Sequence, residues 1–419
     1  MRRYFGTDGV RGVVGDDLTE ELVSRLGFAF ARWRGGGRVL VGRDTRGSGI
    51  GLAACLAGGL ASGGAEVVMG GVLPTPAVAL LADDAGAVVS ASHNPPEYNG
   101  VKFFAGGLKL TDAEEEAVEA ALDGVSEPWS GPEAEDLGDR YVNLVCERFG
   151  APLGGLRIAV DCANGAMFEV GPEALRRLGA TVTTVADKPD GTNINVGCGA
   201  TDLSLLAGVV REGEFDLGVA FDGDGDRMLA VDPAGEEVDG DAIVAVLALH
   251  LGVGLVAVTE MTNLGFDRLM EAEGIRVVRT EVGDRYVLEA LRREEGVLGG
   301  EQSGHILYLD GHTSGDGLVA AMLLARAVRE TETPLAELAS RLERLPQAKE
   351  NVPVRSKELT PALREEIATL ERELDGRGRT LVRPSGTEPV VRVLAEAETA
   401  QEARRLCARI ASLVVGELG

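Results

Sequence analysis

The sequence predicts an α/β protein built from four domains, the last of them a smaller α+β module. Three observations carry this. A chain of 419 residues is too long for one compact core. Up to about residue 345, short apolar strands alternate with amphipathic helical stretches, the pattern of layered α/β domains with a mostly parallel sheet. Beyond that point the order becomes strand, long helix, two strands around a glycine loop, and a final helix.

In chain order, strands are expected at Val39–Gly42, Ala65–Met69, Ala87–Ser90, Arg157–Asp161, Thr181–Val185, Leu217–Phe221, Leu255–Val258 and Ile275–Arg279. Helices are expected at Glu20–Trp33, Glu114–Leu122, Glu135–Phe149, Gly171–Leu178 and Val319–Arg329. The apolar run Ala242–Val258 is shorter than a membrane span and is interrupted by His250, Gly252 and Gly254. It reads as a buried helix, a turn and a strand. The final module is expected to hold a strand at Val352–Arg355, a helix at Pro361–Leu374 and a helix at Thr399–Val415. Domain boundaries follow at 1–149, 150–240, 241–347 and 348–419. The 58 glycines follow no period and read as tight turns.

Composition narrows the function. The formal net charge of −26, with no basic tail or stripe, argues against nucleic acid and anionic membrane surfaces as partners. A phosphate ligand would need a local cluster of cations. Five scattered cysteines without a CxxC pair argue for a reduced cytoplasm and against structural zinc. The first residues lack the apolar stretch of a signal peptide.

Asp222-Gly223-Asp224-Gly225-Asp226-Arg227 follows the apolar strand Leu217–Phe221. Carboxylates at alternate positions project to one side if the backbone stays extended, and their repulsion calls for a hard, oxygen-seeking ion such as Mg²⁺ or Ca²⁺. An EF-hand fails, because its sixth position is Arg227 and its twelfth is Pro233. Ser90-Ala91-Ser92-His93-Asn94-Pro95 ends another apolar strand; Asn94 before proline disfavours helix and leaves Ser92 and His93 in a loop. Glu301, Ser303 and His305 alternate within Gly300–His305, where an extended backbone would turn them toward one cavity to bind sugar hydroxyls. Arg383, Ser385, Gly386, Thr387 and Arg392 make an anion loop suited to a phosphate dianion. Arg11, in Phe5–Gly12, could face a second phosphate. No Gly-Lys dipeptide occurs, which excludes a P-loop.

Together and in this order, FGTDGVRG, SASHNPPEYNGVKFF, DGDGDR, GEQSGH and RPSGTEPVVRV resemble the α-D-phosphohexomutase family over essentially the whole chain. The opening motif, VGDRYV around Arg285 and the glutamine of GEQSGH look most like the branch acting on glucosamine phosphates; the phosphomannomutase/phosphoglucomutase branch is the alternative. The resemblance implies three similar α/β domains with mixed sheets and a C-terminal α+β domain around a central cleft. It implies a cytoplasmic enzyme interconverting 6- and 1-phosphates of glucosamine, toward UDP-N-acetylglucosamine and cell-wall precursors. A sugar bisphosphate would be both intermediate and activator.

By the same resemblance, Ser92 is phosphorylated in the active enzyme and Asp222, Asp224 and Asp226 bind one Mg²⁺ with it. Arg11, His93 and Lys102 surround the reacting phosphoryl group. Arg227 and His305 lie near the transferring oxygens, with His305 the leading general base. Glu301 and Ser303 contact sugar hydroxyls, and Arg285 adds to the substrate-binding cations. Arg383, Ser385, Gly386, Thr387 and Arg392 clamp the phosphate that is not reacting. The expected partner is a small phosphosugar, and the chain a monomer or homodimer. A sugar-phosphate- or Ca²⁺-binding protein without catalysis is the reading from another class.

Overall fold

A computed structural model describes residues 3–6, 8–122, 127–385 and 389–419. Among these residues there are four sheets. The first holds β1 (Phe5–Gly6), β2 (Gly9–Val13), β3 (Gly37–Arg43), β4 (Ala65–Val72), β5 (Ala85–Val89), β6 (Tyr98–Ala105) and β7 (Leu108–Lys109). Their order is β1-β2-β6-β5-β3-β4, with β7 paired to β6. The second holds β8 (Arg157–Asp161), β9 (Thr181–Val185), β10 (Leu217–Phe221), β11 (Met228–Val231) and β12 (Glu237–Val238), ordered β12-β11-β10-β8-β9. The third holds β13 (Leu255–Thr259), β14 (Arg276–Thr280), β15 (Leu298–Gly300) and β16 (Ile306–Tyr308), ordered β14-β13-β15-β16. The fourth is the antiparallel sheet β17 (Gln347–Pro353), β19 (Val390–Glu396) and β18 (Arg379–Pro384), in that order.

One four-strand pattern recurs in the first three sheets: β4-β3-β5-β6, β9-β8-β10-β11 and β14-β13-β15-β16. In each, the third strand runs parallel to the second. It then turns back into an antiparallel fourth strand. The sheets are therefore mixed. The turn between third and fourth strands carries Ser92, then the aspartate triplet, then Glu301–His305. In the fourth sheet the β18–β19 hairpin carries Ser385. These four loops thus occupy hairpin connections, where flanking ladder hydrogen bonds fix both ends of a short loop.

The chain divides into two compact units, residues 1–259 with 278–340, and 260–277 with 341–419. In the first, helix Glu20–Arg34 begins at a Thr19 cap, whose side chain accepts from the Leu22 N–H, and ends at Gly35 with φ 78°. It packs on helix Gly49–Ser62, and the contact depends on glycine. A Cβ on Gly59 would lie 1.9 Å from the Ser24 carbonyl oxygen, and one on Gly27 2.5 Å from that of Leu56. Here glycine brings two helices together, where residue order alone suggested only turns. Phe30 stacks on Phe103 of β6 with centroids 4.3 Å apart, closing helix onto sheet. The second unit buries Leu363, Leu370, Val391, Val393, Ile410 and Val414 between its sheet and helices Pro361–Leu374 and Ala400–Leu418.

Strands β8, β9 and β10 and helix Pro361–Leu374 coincide with the expected spans. The expected helix Glu114–Leu122 runs instead from Asp112 to Ala120, because Thr111 and Glu114 form a capping box. Strand β17 begins at Gln347 and ends at Pro353, earlier than the expected Val352–Arg355. Its polar residues pair main chain to main chain with β19 throughout, and that pairing leaves no apolar signal. No helix among the described residues is long and apolar enough to cross a membrane.

Phe30 is fully buried, and replacing it with alanine removes both its contacts and the stack on Phe103. Urea unfolding of Phe30→Ala is expected to show a loss of about 3–5 kcal/mol in the transition of the first unit.

Candidate active site

Ser92 follows β5, is fully buried and holds φ at 52°, a left-handed conformation that costs a serine energy and marks an imposed geometry. Its hydroxyl donates to Asp222 Oδ2 at 2.5 Å and stands 3.3 Å from His93 Nδ1. Asp222, Asp224 and Asp226 are buried, and one carboxylate oxygen of each lies within 4.8 Å of the others. Their convergence comes from a tight turn with Gly225 at φ 77°, not from the extended backbone that residue spacing suggested. Asp222 Oδ1 accepts from the N–H groups of Gly225 and Arg227, both at 3.1 Å.

Electrostatics explain the neighbours. Burial first, then Asp226 and Asp224, push the Asp222 carboxyl well above the usual range. Lys102, also buried, reaches Asp224 Oδ2 at 2.9 Å, Asp226 Oδ2 at 3.0 Å and Asp8 Oδ2 at 2.9 Å. Burial acts against its charge, but Asp224, Asp226 and Asp8 outweigh that and hold it well above the usual lysine range. For Asp226 the upward push of burial is outweighed by Lys102, then His305 and Lys109, so its carboxyl falls below the usual range. Asp224 Oδ1 and Asp226 Oδ1 remain buried without a hydrogen-bond partner. Three converging carboxylates, two of them with an unused oxygen, and no nitrogen or sulfur donor among them fit a hard divalent cation.

A cavity of about 330 Å³ adjoins this cluster, lined by Arg11, His93, Arg227, Asp284, Glu301 and His305 among others. Arg11 donates to Asn94 Oδ1 at 3.1 Å and pairs with Asp8. Burial, then the guanidinium groups of Arg227 and Arg11, push the His93 imidazole down to about 4, so it is neutral at pH 7. Arg227 and His305 pair through their backbones, which stitches the aspartate turn to the Glu301–His305 turn. His305 Nε2 lies 3.4 Å from Asp284 Oδ2, and its Nδ1 lies 3.7 Å from Asp226 Oδ1. Glu301 is anchored by the Gly283 N–H at 2.9 Å and points its other oxygen toward the Ser303 hydroxyl at 3.3 Å. That turn is tight, not extended. Gly304 sits at φ 87°, and Ser303 is exposed outside the cavity lining.

Arg285 is also outside the lining, contrary to its expected place at the substrate. Its guanidinium pairs with Asp112 and with Glu115, the latter at 2.8 Å. Three residues that the sequence reading left unassigned complete the cluster. Lys109 Nζ bridges Asp8 Oδ1 at 2.7 Å and Asp284 Oδ2 at 2.6 Å. Asp8 and Asp284 stand within motifs already noticed, whereas Lys109 carries no local signal. A larger groove of about 570 Å³, beside Gly154, Phe215 and Arg329, has no comparable cluster.

In the second unit, Arg383 and Arg392 are directly opposed on β18 and β19. Both line a pocket of about 390 Å³ with Lys349 and Asn351. Ser385 is buried at the hairpin, its carbonyl accepting from Lys357 Nζ at 2.8 Å. Gly386 and Thr387 lie outside the described residues.

Family models for phosphoglucomutase/phosphomannomutase match in order along the chain. The alpha/beta/alpha domains I, II and III match residues 2–128, 139–235 and 239–345, and the C-terminal domain matches 327–413. The chain belongs to the phosphoglucomutase/phosphomannomutase family. Within this family it is 47% identical to the phosphoglucosamine mutase of Pelotomaculum thermopropionicum, an alignment covering 99% of each chain. It is 48% identical to that of Streptomyces griseus over 100% of each. The structure of a putative phosphomannomutase from Thermus thermophilus superposes with a TM-score of 0.82 at 28% identity, covering 98% of both chains. Membership of this family makes the chain a mutase, an enzyme of the isomerase class.

Asp224→Asn keeps the side-chain volume and removes one negative charge from the candidate cation site. Calorimetric titration with Mg²⁺ or Mn²⁺ is expected to show binding weaker by at least about tenfold. Unchanged affinity would place the cation elsewhere.

Proposed function

We propose that the chain interconverts glucosamine 6-phosphate and glucosamine 1-phosphate through a phosphorylated Ser92 and a bisphosphorylated sugar. The carrying observation is the Ser92 hydroxyl, aimed at 2.5 Å into the buried aspartate triplet. Full-length identity of 47–48% to proteins named phosphoglucosamine mutase supports the glucosamine branch.

The residues divide the work as follows. In the first step the bond between phosphorus and Ser92 Oγ breaks, and one forms to the free oxygen of the sugar phosphate. The proton of that hydroxyl passes to a base, for which His305 at the cavity wall is the candidate. Charge grows on the equatorial phosphoryl oxygens and on Ser92 Oγ, so positioned cations do most of the catalysis. Lys102, Arg11 and Arg227 supply that positive charge. Held by Asp222, Asp224, Asp226 and the phosphorylated Ser92, one Mg²⁺ would neutralise the leaving serine oxygen. Glu301 orients sugar hydroxyls as an acceptor, and Ser303 can turn to help it. Arg383 and Arg392, with Ser385, Gly386 and Thr387, hold the phosphate that is not reacting. The bisphosphate then reverses its ends, and the second phosphate returns to Ser92 by the same chemistry. His93, neutral and beside Ser92 Oγ, contributes hydrogen bonding without charge. A sugar bisphosphate would also prime an unphosphorylated protein.

Ser92→Ala is expected to lower kcat/KM for glucosamine 6-phosphate by at least about 10⁴-fold. Intact mass should show one phosphate on the active wild type and none on the variant. Comparison of kcat/KM for glucosamine, mannose and glucose 6-phosphates tests the branch. A preference for mannose or glucose would move the substrate assignment to the phosphomannomutase/phosphoglucomutase branch, and full activity in Ser92→Ala would end the mechanism.

A further inference from the structure

We propose that Arg46 and Asn195 are positioning residues that hold Ser92 in its reactive conformation by clamping the carbonyl groups of its loop. The inference rests on the proposed role of Ser92 and adds what makes that serine usable. Neither residue belongs to the motifs that announce the site.

Arg46 lies in the loop after β3 and is fully buried. Its Nη2 donates to the carbonyl oxygens of Ser92 at 3.1 Å and Asn94 at 2.7 Å. Its Nη1 donates to those of Tyr98, at 3.0 Å, and Pro95. The remaining edge is fixed by Asp44, whose Oδ2 accepts from Arg46 Nε at 2.9 Å. The same Asp44 oxygen accepts from the Ser90 hydroxyl at 2.6 Å, and Ser90 Oγ accepts from the Ser92 N–H at 2.9 Å. From another sheet's loops, Asn195 Nδ2 donates to the same two carbonyls, Ser92 at 2.9 Å and Asn94 at 3.2 Å.

The peptide groups on both sides of the Ser92 Cα are therefore tied. A serine at φ 52° relaxes unless something prevents it, and these bonds prevent it. A guanidinium suits the task because its planar fork serves four carbonyls and a carboxylate at once, and an ammonium with three donors cannot. Relaxation of φ would swing Oγ away from Asp222, and a displacement near 1 Å at a reacting atom costs about 10²-fold in rate. Neither residue needs to touch the sugar, so the loss belongs in kcat.

The test compares Asn195→Ala, Arg46→Lys and Arg46→Ala with the wild type. Melting establishes folding, initial rates give kcat and KM, and intact mass follows phosphorylation of Ser92 by a glucosamine bisphosphate. Expected are a kcat loss of about tenfold for Asn195→Ala and about 10²-fold for Arg46→Lys, with KM within about threefold and slower Ser92 phosphorylation. Added guanidinium ion should restore part of kcat to Arg46→Ala. Because Asn195 lies on a different element, it decides the matter even if the Arg46 variants do not fold. Asn195→Ala with kcat and phosphorylation rate within about twofold of the wild type overturns the proposal, as does a loss confined to melting temperature. Absence of phosphate from the active wild type would instead defeat the reading of Ser92 and is separately visible.

Discussion

Three carboxylates packed out of water beside one hydroxyl are the constraint around which the first unit is arranged. With one oxygen of each within 4.8 Å of the others, every pair would, when ionised, repel by at least about 3 kcal/mol at an effective dielectric of ~20. Such a cluster exists only where cations are supplied. Lys102 supplies one charge directly, touching Asp224 and Asp226, and Arg227 and Lys109 add their fields. The two unpartnered oxygens on Asp224 and Asp226 show that the protein's own groups stop short of satisfying the cluster. That residual demand is what a divalent cation, and a phosphoryl group shared with it, would meet.

The fold answers this demand by repetition. Three sheets share one strand pattern, and each turns its chemistry outward at the same hairpin connection. Main-chain contacts then lock loop to loop. Met228 N–H donates to the Gly304 carbonyl, Gly317 N–H to that of Gly225, and Thr75 N–H to that of Asp224. A loop anchored at both ends by a ladder and along its length by neighbouring loops can store a strained serine. In the second unit the hairpin logic recurs with arginines in place of carboxylates.

Much of this was legible in residue order, and the limits have physical causes. Strands such as Leu217–Phe221 are continuous apolar runs buried on both faces, so pattern alone located them. Strand β17 was shifted because an edge strand held by backbone pairing can be polar. The glycines of helix Gly49–Ser62 argue locally against helix, and only the partner helix explains them. Ser92 and the aspartates stand out in residue order because their polar groups are contiguous in sequence, and the structure brings them together. Lys109 and Arg46 act across long sequence separations, and nothing in their immediate neighbours signals the contact. Arg285 shows the converse, since a cation in a suggestive motif is neutralised by Asp112 and Glu115 on a nearby helix.

The most direct measurement is a pulse-chase on protein carrying ³²P at Ser92, mixed with excess unlabelled glucosamine 6-phosphate, with and without a chelator of divalent cations. The account predicts label passing to the sugar within a single turnover when Mg²⁺ is present, and label retained on Ser92 when it is removed. Label that stays on the serine during catalysis, or that transfers equally well in the chelator, would contradict it.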